Sequence, residues 1–276
     1  MTNPTDHIKK IIFEKSNIDF SVYDRSFLHK MIEYQMKKTN VDNIDEYALL
    51  IENNDYQAEQ LIEKLSNSFS LFFRNPYTFS ALEYIILPSM LNDLKGKKNN
   101  EIRIWSSACA AGQEVYSLTI LLEELKQNSQ IDFNYRIFAS DRSEKQIELA
   151  KNGIYSEESL ANVSLKRLDK WFTKENKLYK IDKSLQQNIE FSVFDLLDTK
   201  INFPSGSIFG AFNLILCSNI LFYYDKTGQQ IILDKMKKSM APDACFITGE
   251  TERNIVSNNG FQEKIENSAI FKLHQK

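Results

Sequence analysis

The sequence predicts an α/β protein: a mostly parallel sheet flanked by helices, with a small antiparallel insert, preceded by an all-helical N-terminal domain. Three observations predict it. Residues 1–65 carry only helical periodicity. From residue 101 onward, short apolar runs alternate with amphipathic helical stretches, the pattern of parallel strands joined by crossover helices. The apolar run Ile102–Trp105 passes through Ser106, Ser107, Ala108, Cys109, Ala110 and Ala111 to Gly112, then into a helical pattern through Leu118, Ile120, Leu121, Leu122 and Leu125. Small side chains at a strand-to-helix turn let a ligand lie against bare backbone near the helix N-terminus. Only one glycine is present, so this turn is not the dinucleotide fingerprint.

The elements follow in chain order. Phe27, Leu28, Met31 and Ile32 recur at helical spacing, as do Ile44, Tyr47, Ala48 and Ile51, then Leu61, Ile62 and Leu65. Asn43 followed by Glu46 reads as a helix start. A further amphipathic helix spans 76–94, with Pro88 predicting a break or kink. Strands are expected at 102–106, 135–140, 189–194, 211–217 and 244–249, and helices at 113–126, 143–151 and 227–240. Ser143-x-x-Gln146 reads as a capping box and Gly153 as a C′ residue. The stretch 155–190 is too long for a simple crossover. It holds a helical piece around Leu165, Leu168, Trp171 and Phe172 and a strand-like Lys177–Ile181, so an inserted hairpin is expected there, completed by part of 189–194. Residues 261–273 are expected to add one or two antiparallel edge strands.

Composition narrows the function. The chain has 276 residues, 42% hydrophobic and 26% charged, an ordinary balance for a soluble globular protein. A net charge of −3 argues against a general nucleic-acid binder. No apolar run reaches the roughly 18–20 residues that span a bilayer, so no membrane insertion is expected. Met1–Lys10 lacks an apolar signal-peptide core, which makes a cytoplasmic location the default expectation. Cys109, Cys217 and Cys245 are widely separated and form no metal-ligand spacing, so reduced thiols and no metal site are expected. His7, His29 and His274 lie near the chain ends, so the chemistry should need no histidine base.

In an open α/β sheet, ligands bind beyond the carboxyl ends of the strands. Those ends lead here into Ala108–Glu114, Asp141, Asp195-Leu196-Leu197 and Cys217-Ser218-Asn219. A carboxylate at Asp141 suits both hydroxyls of a ribose. Asp195 suits an adenine amine, with the Leu196 N–H beside it. Each has a plainer reading: Asp141 capping the helix near Ser143, Asp195 in a turn, Glu114 as a first-turn acid on the helix dipole, Cys217 as a small buried hydrophobe. Upstream, Phe72-Phe73-Arg74-Asn75 reads either as a helix end packed on the next domain or as a segment that sets the Arg74 fork near a carboxylate.

Six ordered motifs carry a resemblance: Phe72-Phe73-Arg74-Asn75, Gly112-Gln113-Glu114-Val115-Tyr116-Ser117, Ala139-Ser140-Asp141, Gly153-Ile154-Tyr155, Asp195-Leu196-Leu197 and Cys217–Tyr224. In this order they resemble the CheR-type chemotaxis receptor methyltransferases, over nearly the whole chain. The resemblance implies a Rossmann-like S-adenosylmethionine-dependent methyltransferase domain (69–276) with an inserted β-subdomain at about 157–192, and a helical substrate-recognition domain (1–68). It implies O-methylation of glutamate side chains on the cytoplasmic helices of chemoreceptors, with S-adenosylhomocysteine as product. Ser68, Ser70 and Arg74 would lie along the cofactor, Ala108 in its loop, Glu114 at its amino-acid part and Asp141 at its ribose. Asp195 and Leu196 would meet the adenine, Cys217, Ser218 and Asn219 the methionine moiety, and Tyr223 the methyl-transfer site. A glutamate carboxylate, with a pKa of about 4.3, attacks the sulfonium methyl without a general base.

Departures from the family pattern are Gln113 and Val115 in the turn, Ser218 for an arginine, Asp195 for an asparagine, and Gly249-Glu250-Thr251-Glu252 for Gly-His-Ser-Glu. They motivate a second reading, a degenerate relative that binds the cofactor and regulates a partner, and a third, methylation of another carboxylate. Residues 1–65 hold eight Lys/Arg against twelve Asp/Glu, a net of −4. Yet Arg25–Lys38 holds four cations against Glu33 alone. The plain reading is a solvated face; the resemblance sets it against acidic receptor helices, and makes the insert a candidate dock for a receptor C-terminal peptide.

Overall fold

The computed structural model describes residues 4–16, 18–66, 69–95, 100–207 and 210–274. The chain divides into two compact units: Met1–Asn67 with Phe222–Gln230, and Ser68–Leu221 with Ile231–Lys276.

The N-terminal part of the first unit is built, among the described residues, on α1 (Pro4–Ser16), α2 (Arg25–Thr39), α3 (Ile44–Asn53) and α4 (Asp55–Leu65). Their buried positions follow the 3.6-residue period: Ile8, Ile11 and Ile12; Leu28, Ile32 and Gln35; Tyr47, Ala48 and Ile51; Ala58, Leu61 and Leu65. Short polar side chains start three of them. Asp24 accepts from the Phe27 N–H, Asn43 from the Asp45 and Glu46 N–H groups, and Asn54 from the Gln57 N–H. The same unit takes in the distant segment 222–230. There Asp24 N–H donates to the Tyr223 carbonyl at 2.9 Å, the Asp225 N–H donates to Val22 at 2.9 Å, and the Tyr23 and Tyr224 rings lie 4.6 Å apart.

The second unit opens on α5 (Pro76–Ala81), a π-helical stretch (Leu82–Ile86) and α6 (Leu87–Leu94). The break expected at Pro88 is this π segment. Proline offers no N–H to the ladder, and the preceding amide, Leu87 N–H, reaches back five residues to Leu82. The strands are β1 (Glu101–Ser106), β2 (Asn134–Asp141), β3 (Ile154–Ser156), β4 (Phe172–Glu175), β5 (Leu178–Ile181), β6 (Ile189–Val193), β7 (Phe212–Cys217), β8 (Met240–Thr248), β9 (Phe261–Glu263) and β10 (Ile270–Leu273). The remaining helices are α7 (Gln113–Asn128), α8 (Glu144–Asn152), α9 (Leu165–Trp171), α10 (Lys226–Ser239, in this unit from Ile231) and α11 (Arg253–Ser257).

Seven strands form one sheet in the order β6-β2-β1-β7-β8-β10-β9. The first five are parallel, and β10 and β9 close the edge antiparallel, as expected for 261–273. Alternate residues of the central strands bury on opposite faces. Ile102, Ile104, Ile137 and Leu214 join a core with α7, α6 and Phe72. Trp105 meets Phe194 at 5.6 Å and Phe212 at 5.5 Å, and its indole N–H donates to Ser140 at 2.9 Å. This is a Rossmann-like fold, with order reversing between β1 and β7.

One expectation needs correction. Residues 189–193 pair with β2, in the main sheet. The small antiparallel sheet is instead β3-β5-β4, so its third strand is Ile154–Ser156. An apolar run reads the same in either sheet, and only three-dimensional register separates the two. Gly153 makes the turn into β3 at φ 62°, where an added Cβ would meet Ile181 Cγ2 at 2.6 Å. Ser143 caps α8 by accepting from the Gln146 N–H.

Candidate active site

The loop after β1 is built to expose backbone. Ser107 donates both its N–H and its hydroxyl to the Leu216 carbonyl, each at 2.9 Å, and Cys109 N–H donates to Ser140 at 2.9 Å. The loop is thus stitched to both neighbouring strands. Ala110 (φ 47°) and Gly112 (φ 88°) take left-handed backbone to complete the turn. A Cβ on Gly112 would crowd Ala150 at 3.0 Å and the Tyr116 ring at 3.1 Å, which explains the one glycine of the motif.

Asp141 ends β2 and serves the loop directly. One carboxylate oxygen accepts from Ala110 N–H at 3.0 Å and the other from Ser143 N–H at 2.9 Å. These bonds bear on the plainer reading, a carboxylate that secures the local turn. It steadies the turn into α8, and each oxygen keeps a lone pair for another donor. Burial pushes its pKa up, against those two hydrogen bonds. Phe194 N–H donates to the Asp141 carbonyl at 2.9 Å, which carries the next loop, Asp195-Leu196, to the same sheet edge. Asp195 is exposed and accepts from Leu197 N–H at 2.9 Å, a turn geometry, while Leu196 is buried.

Glu114 lies in the first turn of α7, with its pKa raised to about 7. Burial is the main cause and the charge of Glu252 adds to it, while the Ser218 hydroxyl and the Arg74 charge oppose it. Ser218 Oγ is buried and makes no well-formed hydrogen bond of its own, so its effect on Glu114 is one of polar proximity. Arg74 donates to the Phe69 carbonyl at 3.0 Å. Phe72 and Phe73 are both buried: left-handed backbone at Phe73 (φ 49°) lets its ring meet Phe79, while Phe72 packs on Tyr155 and Phe172. Ser70 is half-buried just before them, and Ser68 lies outside the described residues.

After β7 come Cys217, fully buried with its thiol pKa pushed up by burial, Ser218, and Asn219 at φ 60°. This loop is held by Glu252, a residue motif comparison marked only by position. Its buried carboxylate accepts from Asn219 N–H, Gly249 N–H and the Thr248 hydroxyl, all at 2.8 Å, and from Leu221 N–H at 2.6 Å. Lys235, also missed, is 4% exposed. Its ammonium reaches the carbonyls of Asp198 at 2.5 Å and Ile201 at 2.9 Å, pinning the loop after β6. A glutamate and a lysine on apolar helical or turn patterns give no sequence signal of such roles.

The structure thus brings Arg74, Ala108, Glu114, Asp141, Cys217, Ser218 and Asn219 to the carboxyl edge of β1, β2 and β7, with Asp195 and Leu196 following β6. Tyr223 belongs to the segment grouped with the helical unit. All three cysteines are unbridged. Among the described residues, no cluster of three or more His, Cys, Asp or Glu side chains is placed to hold a metal ion, and no helix is long and apolar enough to cross a membrane. A nucleoside carrying an amino acid fits this edge: bare backbone at Ala108–Ala111, a carboxylate at Asp141, and at Glu114 a half-buried carboxylate that a cation would stabilise.

A Rossmann-like sheet with such an edge suits a nucleoside-bearing cofactor, and the family comparison makes the class that of the S-adenosylmethionine-dependent methyltransferases. The family model described as the CheR methyltransferase SAM binding domain matches residues 68–270, and that described as the CheR methyltransferase all-alpha domain matches residues 5–66. The chain belongs to the CheR methyltransferase family, and its cofactor is S-adenosylmethionine. It is similar to the chemotaxis protein methyltransferase of Borreliella burgdorferi, 26% identical over 246 residues, covering 88% of this chain and 85% of that protein. It is similar also to the chemotaxis protein methyltransferase of Escherichia coli (strain K12), 25% identical over 251 residues, with 89% and 82% covered. The probable biofilm formation methyltransferase WspC of Pseudomonas aeruginosa is 24% identical over 259 residues, which cover 93% of this chain and 58% of that protein.

Proposed function

We propose that the chain transfers the methyl group of S-adenosylmethionine to glutamate side chains of chemoreceptors. The observation that carries the cofactor half is Glu114, a half-buried acid at the helix start with its pKa raised to about 7, which suits the α-ammonium of the cofactor. Asp141 would receive the ribose hydroxyls, Asp195 and the Leu196 backbone the adenine, and Ala108, Cys217, Ser218 and Asn219 the methionine chain. Ser68 and Ser70 would flank it, and Arg74 would hold a carboxylate with its fork. The cofactor supplies an electrophilic methyl on a cationic sulfur. The protein's work is to exclude water, to hold an already ionised glutamate in line, and with Tyr223 to present a hydroxyl or ring face beside the sulfonium.

The substrate half is supported by the relatives' names and by the cations of α2, Arg25, Lys30, Lys37 and Lys38, of which Lys30 and Lys37 share a helix face. We read the helical domain 1–68 as the substrate-recognition element, acting on acidic cytoplasmic helices, and the insert as a dock for a receptor C-terminal peptide. The enzyme would work in the cytoplasm. Purified protein given cofactor with a labelled methyl and a chemoreceptor cytoplasmic fragment is expected to yield base-labile label on glutamate. Label on a different carboxylate protein would move the substrate assignment. Binding without any turnover would favour the regulatory reading, which Ser218 in place of an arginine motivates.

A further inference from the structure

Arg74 and Glu114 stand on different segments, yet one buried hydroxyl ties both. Ser117, in the second turn of α7, is 0% exposed. Its Oγ donates to the Gln113 carbonyl at 2.7 Å and accepts from the Phe73 N–H at 2.9 Å. Gln113 immediately precedes Glu114, and Phe73 immediately precedes Arg74. A helical serine commonly bonds the carbonyl four residues back, so the first contact alone is ordinary. The second is not: it fixes the amide of a residue in left-handed backbone (φ 49°) on another segment.

Phe73 is held on its other sides as well. Its carbonyl accepts from Asn162 Nδ2 at 3.3 Å, its ring meets Phe79 at 5.2 Å, and the Arg167 guanidinium lies 5.0 Å from the ring centroid. Arg167 is itself locked by Glu124 at 3.0 Å and Glu83 at 2.8 Å. The aim of Arg74 is therefore set by the backbone one residue before it, and Ser117 is where that backbone meets the helix that carries Glu114.

We propose that Ser117 is a positioning residue that sets the spacing of Arg74 and Glu114, and so fits the site to a ligand bearing an ammonium and a carboxylate on one carbon. The proposal rests on the cofactor assignment above. It places the gain from this hydroxyl on the amino-acid part of the ligand alone and leaves adenosine recognition, which falls to the loops after β2 and β6, untouched.

The test compares two ligands by calorimetry on the full chain: S-adenosylhomocysteine, and 5′-deoxy-5′-methylthioadenosine, which keeps the adenosine and the sulfur but lacks the amino acid. Ser117→Ala is expected to weaken the first about tenfold or more, the loss of one charge-assisted contact, and to leave the second unchanged. Ser117→Thr, which keeps the hydroxyl, is expected to recover most of the loss. If Ser117→Ala does not fold, Asn162→Ala, which frees the other end of Phe73, is expected to show the same selective loss at smaller size. Equal loss on both ligands, or no loss on the first, overturns the proposal. Wild-type protein that binds the two ligands equally overturns the assignment of Arg74 and Glu114 to the cofactor's amino-acid part instead.

Discussion

Affinity for S-adenosylhomocysteine is expected to fall about tenfold for each pH unit below 7 and to stay flat from there to about pH 8. The cause is Glu114, whose carboxyl pKa is raised to about 7 chiefly by burial. Below that pH the free protein holds a proton there, and an arriving ammonium must displace it, so binding releases one proton. The same group sets a stability trend in the free protein. A carboxyl whose folded pKa lies above its ordinary 4.5 charges more easily when unfolded, so stability falls as pH rises from about 4.5 through about 7. Glu114→Gln is expected to remove both trends: a more stable free protein at pH 8, and weak, pH-independent binding. Calorimetry in buffers of different ionisation enthalpy counts the released proton. Affinity that does not change between pH 6 and pH 8 would remove Glu114 from the amino-acid subsite.

The second large effect is expected at Glu252. Its carboxylate accepts three backbone N–H groups and a hydroxyl, with no side-chain cation among those contacts. Replacement by alanine leaves four donors without that partner, three of them buried, each buried one costing about 1 kcal/mol or more, so a loss of about 3–5 kcal/mol is expected. Glutamine is a poor substitute, because its NH2 would face N–H donors. Because Asn219 and Leu221 lose their anchor, the loop after β7 should loosen and cofactor affinity should drop with stability. Removing the Glu252 charge also lowers the Glu114 pKa, since Glu252 acts to raise it. A folded Glu252→Gln protein should therefore show its binding transition at lower pH than wild type. Urea unfolding and a pH series on the same variants check both effects. A loss below about 1 kcal/mol for Glu252→Ala would contradict the anchoring role.

The parallel sheet was legible because its strands are buried on both faces and read as apolar runs, while the helices between them keep an amphipathic period. The edge residues were legible because topology sends every parallel strand to the same side. Asp141 shows the limit of that reading. Its position was clear, but its bonds to Ala110 and Ser143 depend on loop geometry that no spacing encodes. The third strand of the small sheet was misplaced because pairing partner is a long-range property, and 189–193 has equal apolar character for either sheet. Glu252 and Ser117 fell within motifs, but nothing in those motifs told their roles. Their roles arise only once β8 runs beside β7, and α7 beside the Phe72-Phe73 segment. Likewise, nothing in the sequence between 222 and 230 announces that it packs with Val22, Tyr23 and Asp24.

The central claim is that the carboxyl edge of β1, β2, β6 and β7 is one S-adenosylmethionine site. It is tested most directly by titrating S-adenosylhomocysteine into wild type and Asp141→Ala at pH 8, with circular dichroism to confirm folding. Wild type is expected to bind one equivalent, and Asp141→Ala to bind at least about tenfold more weakly, from lost ribose hydrogen bonds and a loosened Ala110 turn. No binding by wild type, or equal affinity in the two proteins, would contradict the account.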